Sequence, residues 1–81
     1  MTDKRGAQRQ RVLKGATIEF DGSAFSCVVR NISPVGAALE VGSSIGIPQQ
    51  FDLVFAADRS RQLCRVVWRK ERRIGVKFNG R

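Results

Sequence analysis

Histidine and tyrosine are missing from this sequence, and methionine and tryptophan occur once each, at Met1 and Trp68. Without an imidazole or a phenol, general acid–base chemistry falls to seven carboxylates, none paired in a motif. Asp21 and Asp58 are better explained as turn residues. The only two cysteines, Cys27 and Cys64, lie inside alternating apolar runs with no Cys-x-x-Cys pair and no activating neighbour. They are expected to be small buried core residues rather than metal ligands, a disulfide or nucleophiles. No apolar run approaches the roughly 20 residues of a membrane span. The opening "MTDKRGAQRQRVLKG" is polar throughout and does not read as a signal peptide. The expectation is a soluble, cytoplasmic protein that is not an enzyme and holds no metal or cofactor.

Positive charge is abundant. The 81 residues carry 15 Lys and Arg against 7 acids, a net charge of +8. Eleven of the cations are arginine, which favours planar, bidentate recognition over a diffuse lysine field. Residues 1–14 hold Lys4, Arg5, Arg9, Arg11 and Lys14 against Asp3 alone, and residues 58–77 hold eight cations against Asp58 and Glu71. Between them, Arg30 stands among four carboxylates. Two basic blocks flanking an acidic middle imply an anionic partner.

Residues 1–12 have no hydrophobic periodicity and read as a flexible basic tail; residues 13–81 read as one small domain. There the apolar period is two, the signature of strands. Ala16, Ile18 and Phe20 alternate with polar neighbours, and Asp21-Gly22 is a two-residue hairpin signal. Phe25, Cys27 and Val29 mark a second strand, and Ala37, Leu39 and Val41 a third. The Gly- and Ser-rich "GSSIGIPQQ" reads as a loop. Phe51, Leu53 and Phe55, then Cys64, Val66 and Trp68, then Ile74, Val76 and Phe78 complete six strands, with Lys70-Glu71-Arg72 as a charged hairpin tip. Six strands at about ten-residue intervals and no helical segment predict an all-β, antiparallel barrel. Ile18, Phe20, Cys27, Leu39, Leu53, Phe55, Val66, Trp68 and Val76 are expected to be largely buried.

The corner "NISPVG" contains more polarity than a turn requires. Asn31 and Ser33 offer donors and acceptors two residues apart, and Gly36 follows without a Cβ. Upstream, Arg5 and Arg9 form an Arg-x-x-x-Arg pair ahead of the first strand. Each pattern alone is weak, because a basic tail or a Ser-Pro turn could produce it by chance. In this order, and with "CRVVWR" and Gly75-Val76-Lys77-Phe78 near the end, they make the chain resemble the PilZ domain over nearly its whole length.

That resemblance implies a six-stranded antiparallel barrel that binds cyclic di-GMP. It makes Arg5 and Arg9 the arginines gripping guanine and phosphate, and Asn31, Ser33 and Gly36 the barrel-surface half of the site. Signal output would pass to a partner protein. Many members add a C-terminal helix after the last strand, where this sequence stops at Arg81. Two other readings compete: a PilZ-like protein–protein module without ligand, and a small basic barrel binding single-stranded nucleic acid. The second is disfavoured because most of the few aromatics fall on faces assigned to the core.

Overall fold

A computed structural model describes residues 10–79, and the expected tail residues Arg5 and Arg9 lie outside that range. Six strands follow in order: β1 (Gln10–Phe20), β2 (Ser23–Ile32), β3 (Gly36–Glu40), β4 (Gln50–Phe55), β5 (Arg61–Arg69) and β6 (Arg73–Phe78). All pairings are antiparallel, and the sheet closes on itself in the order β1-β2-β3-β6-β5-β4. This is the all-β six-stranded barrel that the alternation predicts. Asp21 and Gly22 both adopt positive φ, 47° and 78°, as the turn between β1 and β2 demands.

Alternate residues from every strand fill the interior. Ile18, Val29, Leu39, Leu53, Cys64 and Ile74 are fully buried, and Val12, Phe20, Ile32, Phe55 and Phe78 pack around them half-exposed. The two thiols sit in this core as expected, and burial pushes Cys27 up to about 11 and Cys64 up to about 12. Neither is available as a thiolate near neutral pH. Arg69 ties down the β3–β4 loop, donating through Nη1 to the carbonyls of Ser44 and Ile47 at 2.9 Å each.

Three expectations need correction. β1 begins at Gln10, so Gln10, Arg11 and Val12 are strand residues rather than tail. Their alternation is masked by a bulge, in which Val12 and Leu13 together stand opposite Arg30. This first half of β1 pairs with β2 only, because the ladder to β4 runs from Ala16 to Glu19. The second correction is Trp68, which is 39% exposed rather than core. Val66 pairs with Val76 and Trp68 with the next residue, Gly75, leaving Val67 as an extra residue in β5. That bulge turns the indole from the inner face to the outer one. Phe20 and Phe55, expected to be largely buried, are half-buried at the barrel's margin.

Candidate ligand-binding site

Asn31 is re-aimed by the same physics as Trp68. Val29 points into the core, so strict alternation would send Asn31 inward too. Instead, Val29 pairs with Leu39 and Asn31 with Ala38, with Arg30 bulged out between them. Ala38 belongs to the outer side of β3, since Ala37 and Leu39 are the residues in the core. Asn31 therefore emerges on the barrel's outer surface. It faces Arg11 on β1 and Ala38 on β3; Ala38 faces Gly75 on β6, and Gly75 faces Trp68 on β5. Five strands thus contribute one residue each to a single row.

The row is a shelf walled by side chains at both ends. At its centre Ala38 and Gly75 are small and buried, and the indole of Trp68 lies over Gly75. A Cβ at Gly75 would fall 2.2 Å from the indole Nε1, so the glycine is what lets the ring lie down. At the other end, Asn31 Oδ1 is buried with no hydrogen-bond partner among the described residues. A buried carbonyl without a donor is costly and uncommon in native proteins.

Ser33 behaves differently. Its Oγ accepts from the backbone N–H groups of Val35 and Gly36, both at 3.2 Å, and donates to the Gly36 carbonyl at 3.4 Å. One donor and two lone pairs are the whole capacity of a hydroxyl. Ser33 thus spends its polarity on shaping the corner, and its own N–H donates to the Gly36 carbonyl at 2.8 Å. Phe78 N–H donates to the Val35 carbonyl at 2.8 Å and fastens the corner to β6.

Gly36 is also explained locally. A Cβ there would stand 2.3 Å from the Val76 carbonyl oxygen, so close packing of β3 on β6 requires its absence. The structure brings Asn31, Ser33 and Gly36 together at one corner beside Arg11. Arg5 and Arg9 fall outside the described residues.

The surrounding charge is uneven. Arg61 meets Glu19 at 3.1 Å and Asp52 at 3.2 Å, and Arg30 meets Glu40 at 2.8 Å. The bond to Asp52, with Glu19 beside it, raises the Arg61 pKa further. These pairs absorb three of the four carboxylates of the acidic middle. Asp58 caps its turn by accepting from Ser60 N–H at 2.9 Å, which holds its carboxyl below the usual range. Arg11, at the shelf, forms no ion pair among the described residues.

Two open clefts, of about 700 and 650 Å³, flank Leu13 and Lys14 on β1. Neither is lined by Asn31, Ser33 or Gly36. Among the described residues there is no cluster of His, Cys, Asp or Glu able to hold a metal ion, and no helix long and apolar enough to cross a membrane.

The PilZ domain family model matches residues 3–81. The chain belongs to the PilZ domain family. PilZ domains generally bind cyclic di-GMP and serve as ligand-binding effector domains rather than enzymes. A comparison with curated proteins gives no match.

Two residues of this PilZ domain's shelf escaped sequence reasoning. Arg11 lies in a stretch without apolar periodicity, and Trp68 stands in phase with the buried Cys64 and Val66. A signal for Trp68 existed in the adjacent Val66-Val67, where two consecutive apolar residues interrupt the alternation of β5.

Proposed function

We propose that this PilZ domain is a cytoplasmic cyclic di-GMP receptor in which Arg5 and Arg9 clamp the dinucleotide against the corner formed by Asn31, Ser33 and Gly36. The observation that carries the reading is the buried Oδ1 of Asn31, which has no partner among the described residues. An orphan acceptor calls for a donor, and guanine offers N–H groups on one edge while its O6 and N7 accept on another. A guanidinium is suited to the accepting edge or to phosphate, so Asn and Arg together read complementary sides of one base.

Chain connectivity supports the partnership. Gln10 pairs with Ile32, the residue after Asn31. Arg9 is bonded to Gln10, which keeps the two Cα atoms about 3.8 Å apart. Arg5 is five residues from Gln10, within a reach of about 17 Å for an extended chain. Ser33 and Gly36 act mainly by holding the corner's shape, and Arg11 adds a positive charge beside it. Each bidentate Arg–guanine pair contributes about 1–3 kcal/mol of discrimination. Ordering a segment on binding consumes about 2–5 kcal/mol. A net of about −8 kcal/mol, or micromolar affinity, remains within reach. Binding changes the surface offered to a partner protein, which carries the signal.

Titration calorimetry with cyclic di-GMP, GMP and single-stranded DNA tests the reading. Cyclic di-GMP should bind at micromolar concentration or below, and Asn31→Ala should weaken it about 5- to 150-fold, the equivalent of about 1–3 kcal/mol. Equal affinity for single-stranded DNA, or no binding of cyclic di-GMP, refutes it.

A further inference from the structure

Strands β5 and β6 carry an arrangement that their own stability does not explain. Arg65 and Lys77 are direct cross-strand partners, both exposed. Like charges directly opposite one another destabilise a sheet. On its other side Lys77 faces Gly36, which has no side chain to offer, and Arg65 on its other side faces Gln50. Neither cation forms an ion pair among the described residues. Arg73 faces Glu40, but that carboxylate is bonded to Arg30.

Apolar side chains lie among these cations. Leu63 is 44% exposed and Val67 56%, and Trp68 joins them because of the β5 bulge. Lys70 Nζ approaches the Trp68 ring at 6.0 Å. Arginine, lysine, tryptophan and two aliphatic residues thus share one face of a closed sheet. Such a mixture resembles the anchors and charged surround of a protein interface.

We infer that the outer face of β5 and β6 is a docking surface for an acidic protein segment bearing apolar anchor residues. Its carboxylates would sit between Arg65 and Lys77, relieving their repulsion, while its apolar residues cover Leu63, Val67 and Trp68. Charge complementarity argues for an acidic occupant, since Glu71 at the hairpin tip is the only carboxylate on the β5–β6 strands and their connecting tip. The aliphatic residues argue for a peptide over nucleic acid, because bases need aromatic faces and Trp68 alone supplies one here. The closed barrel leaves β5 and β6 paired on both sides, so side chains rather than an added strand must make the contact. This surface goes beyond the ligand reading and does not rest on it: it shares Trp68 with the shelf, but none of its residues belongs to the arginine pair or the corner, and Lys77→Glu tests it away from the shelf.

The test is a selection of 12-residue peptides from a random displayed library against the full chain without nucleotide. Selected peptides should be acidic with aliphatic or aromatic anchors. They should bind Lys77→Glu at least tenfold more weakly, and Trp68→Ala likewise. Lys77→Glu is the decisive variant because it replaces a repulsive pair with an attractive one. Its melting temperature should rise by about 2–8 °C while peptide binding falls, so a loss cannot be ascribed to unfolding. Peptides without acidic enrichment, or peptides that bind Lys77→Glu as tightly as the parent, overturn the inference. So does tighter binding of Trp68 to oligo(dT) or phosphatidylserine vesicles than to the selected peptides, or self-association that buries Trp68. Cyclic di-GMP titrated in parallel keeps the outcomes separate: a failure here leaves the receptor reading standing, and the reverse.

Discussion

Replacing Gly36 by alanine separates a structural role from a ligand role at the corner. Gly36 pairs with Lys77, and an added Cβ would stand 2.3 Å from the Val76 carbonyl oxygen and 3.4 Å from Lys77 Cα. A carbon and a carbonyl oxygen prefer about 3.3–3.6 Å, so β3 and β6 would have to separate by about 1 Å. Both neighbours are backbone atoms of paired strands, and no side-chain rotation relieves the clash. Gly36 does not have a positive φ, so the cost is steric rather than conformational. Overpacking of this kind costs about 1–3 kcal/mol. The loss of chain freedom in the unfolded state returns about 0.4–1 kcal/mol. A net destabilisation of about 1–2 kcal/mol lowers the melting temperature of an 81-residue domain by about 4–16 °C. Circular dichroism melts without nucleotide measure it, and calorimetry at a temperature where both proteins are folded then measures the nucleotide. Affinity should fall as well, because the Phe78–Val35 bond that holds the corner depends on the same spacing. If Gly36→Ala melts with the parent while losing affinity, the packing argument is wrong and the glycine serves the ligand alone.

Ser33→Ala removes an acceptor for two backbone N–H groups, so it should destabilise the nucleotide-free protein by about 1 kcal/mol, read as a lower melting temperature. An unchanged melt would mean the hydroxyl is idle until ligand arrives. Arg9→Ala should abolish measurable cyclic di-GMP binding, and Arg9→Lys should restore little, since an ammonium lacks the planar fork. Equal losses from Arg9→Lys and Arg11→Ala, both strongly salt-sensitive, would instead indicate a diffuse charge effect. The thiols predict a pH dependence with a definite sign. Burial raises Cys27 and Cys64 above the ordinary value of 9.0, so the folded state favours the neutral thiols. Their contribution is complete below about pH 9 and fades as pH rises towards 11 and 12. Melts of a Cys27→Ala, Cys64→Ala variant should therefore show a shallower alkaline decline; an identical decline would assign it to other groups.

The barrel was legible because closure imposes one rule on six strands: inward residues alternate, and Asp21-Gly22 and the glycine-rich loop mark where the rule pauses. Core positions such as Ile18, Leu39, Leu53 and Val76 follow from that rule directly. The sites where it failed are bulges. An extra residue at Arg30, in Val12–Leu13 or at Val67 changes the facing of everything beyond it, yet leaves composition and approximate strand length unchanged. Phase alone thus puts Trp68 in the core, and the outer facing of Asn31 depends on a bulge that no turn residue announces. The corner's residue types were readable from sequence, but their division of labour was not. Ser33 and Gly36 are committed to backbone partners, while Asn31 keeps an acceptor unmet among the described residues, and only three-dimensional neighbours distinguish these cases.

The first half of β1 has one neighbour where the second half has two. From Gln10 to Lys14 the backbone bonds to β2 on one side and meets no strand on the other among the described residues. Local opening of that stretch breaks one ladder and exposes little core, so it needs far less free energy than unfolding the barrel. Amide hydrogens there should exchange with solvent much faster than those of Ala16–Glu19, which are clasped from both sides. The exposed backbone also invites pairing with other chains, and the cations Arg11 and Lys14 placed along it discourage that. A dinucleotide held across Arg9 and Asn31 would bridge this loose half-strand to β2. Protection of Gln10–Lys14 against exchange would then rise with ligand concentration while the rest of the barrel keeps its rate. The stretch would become a clock whose speed reports occupancy.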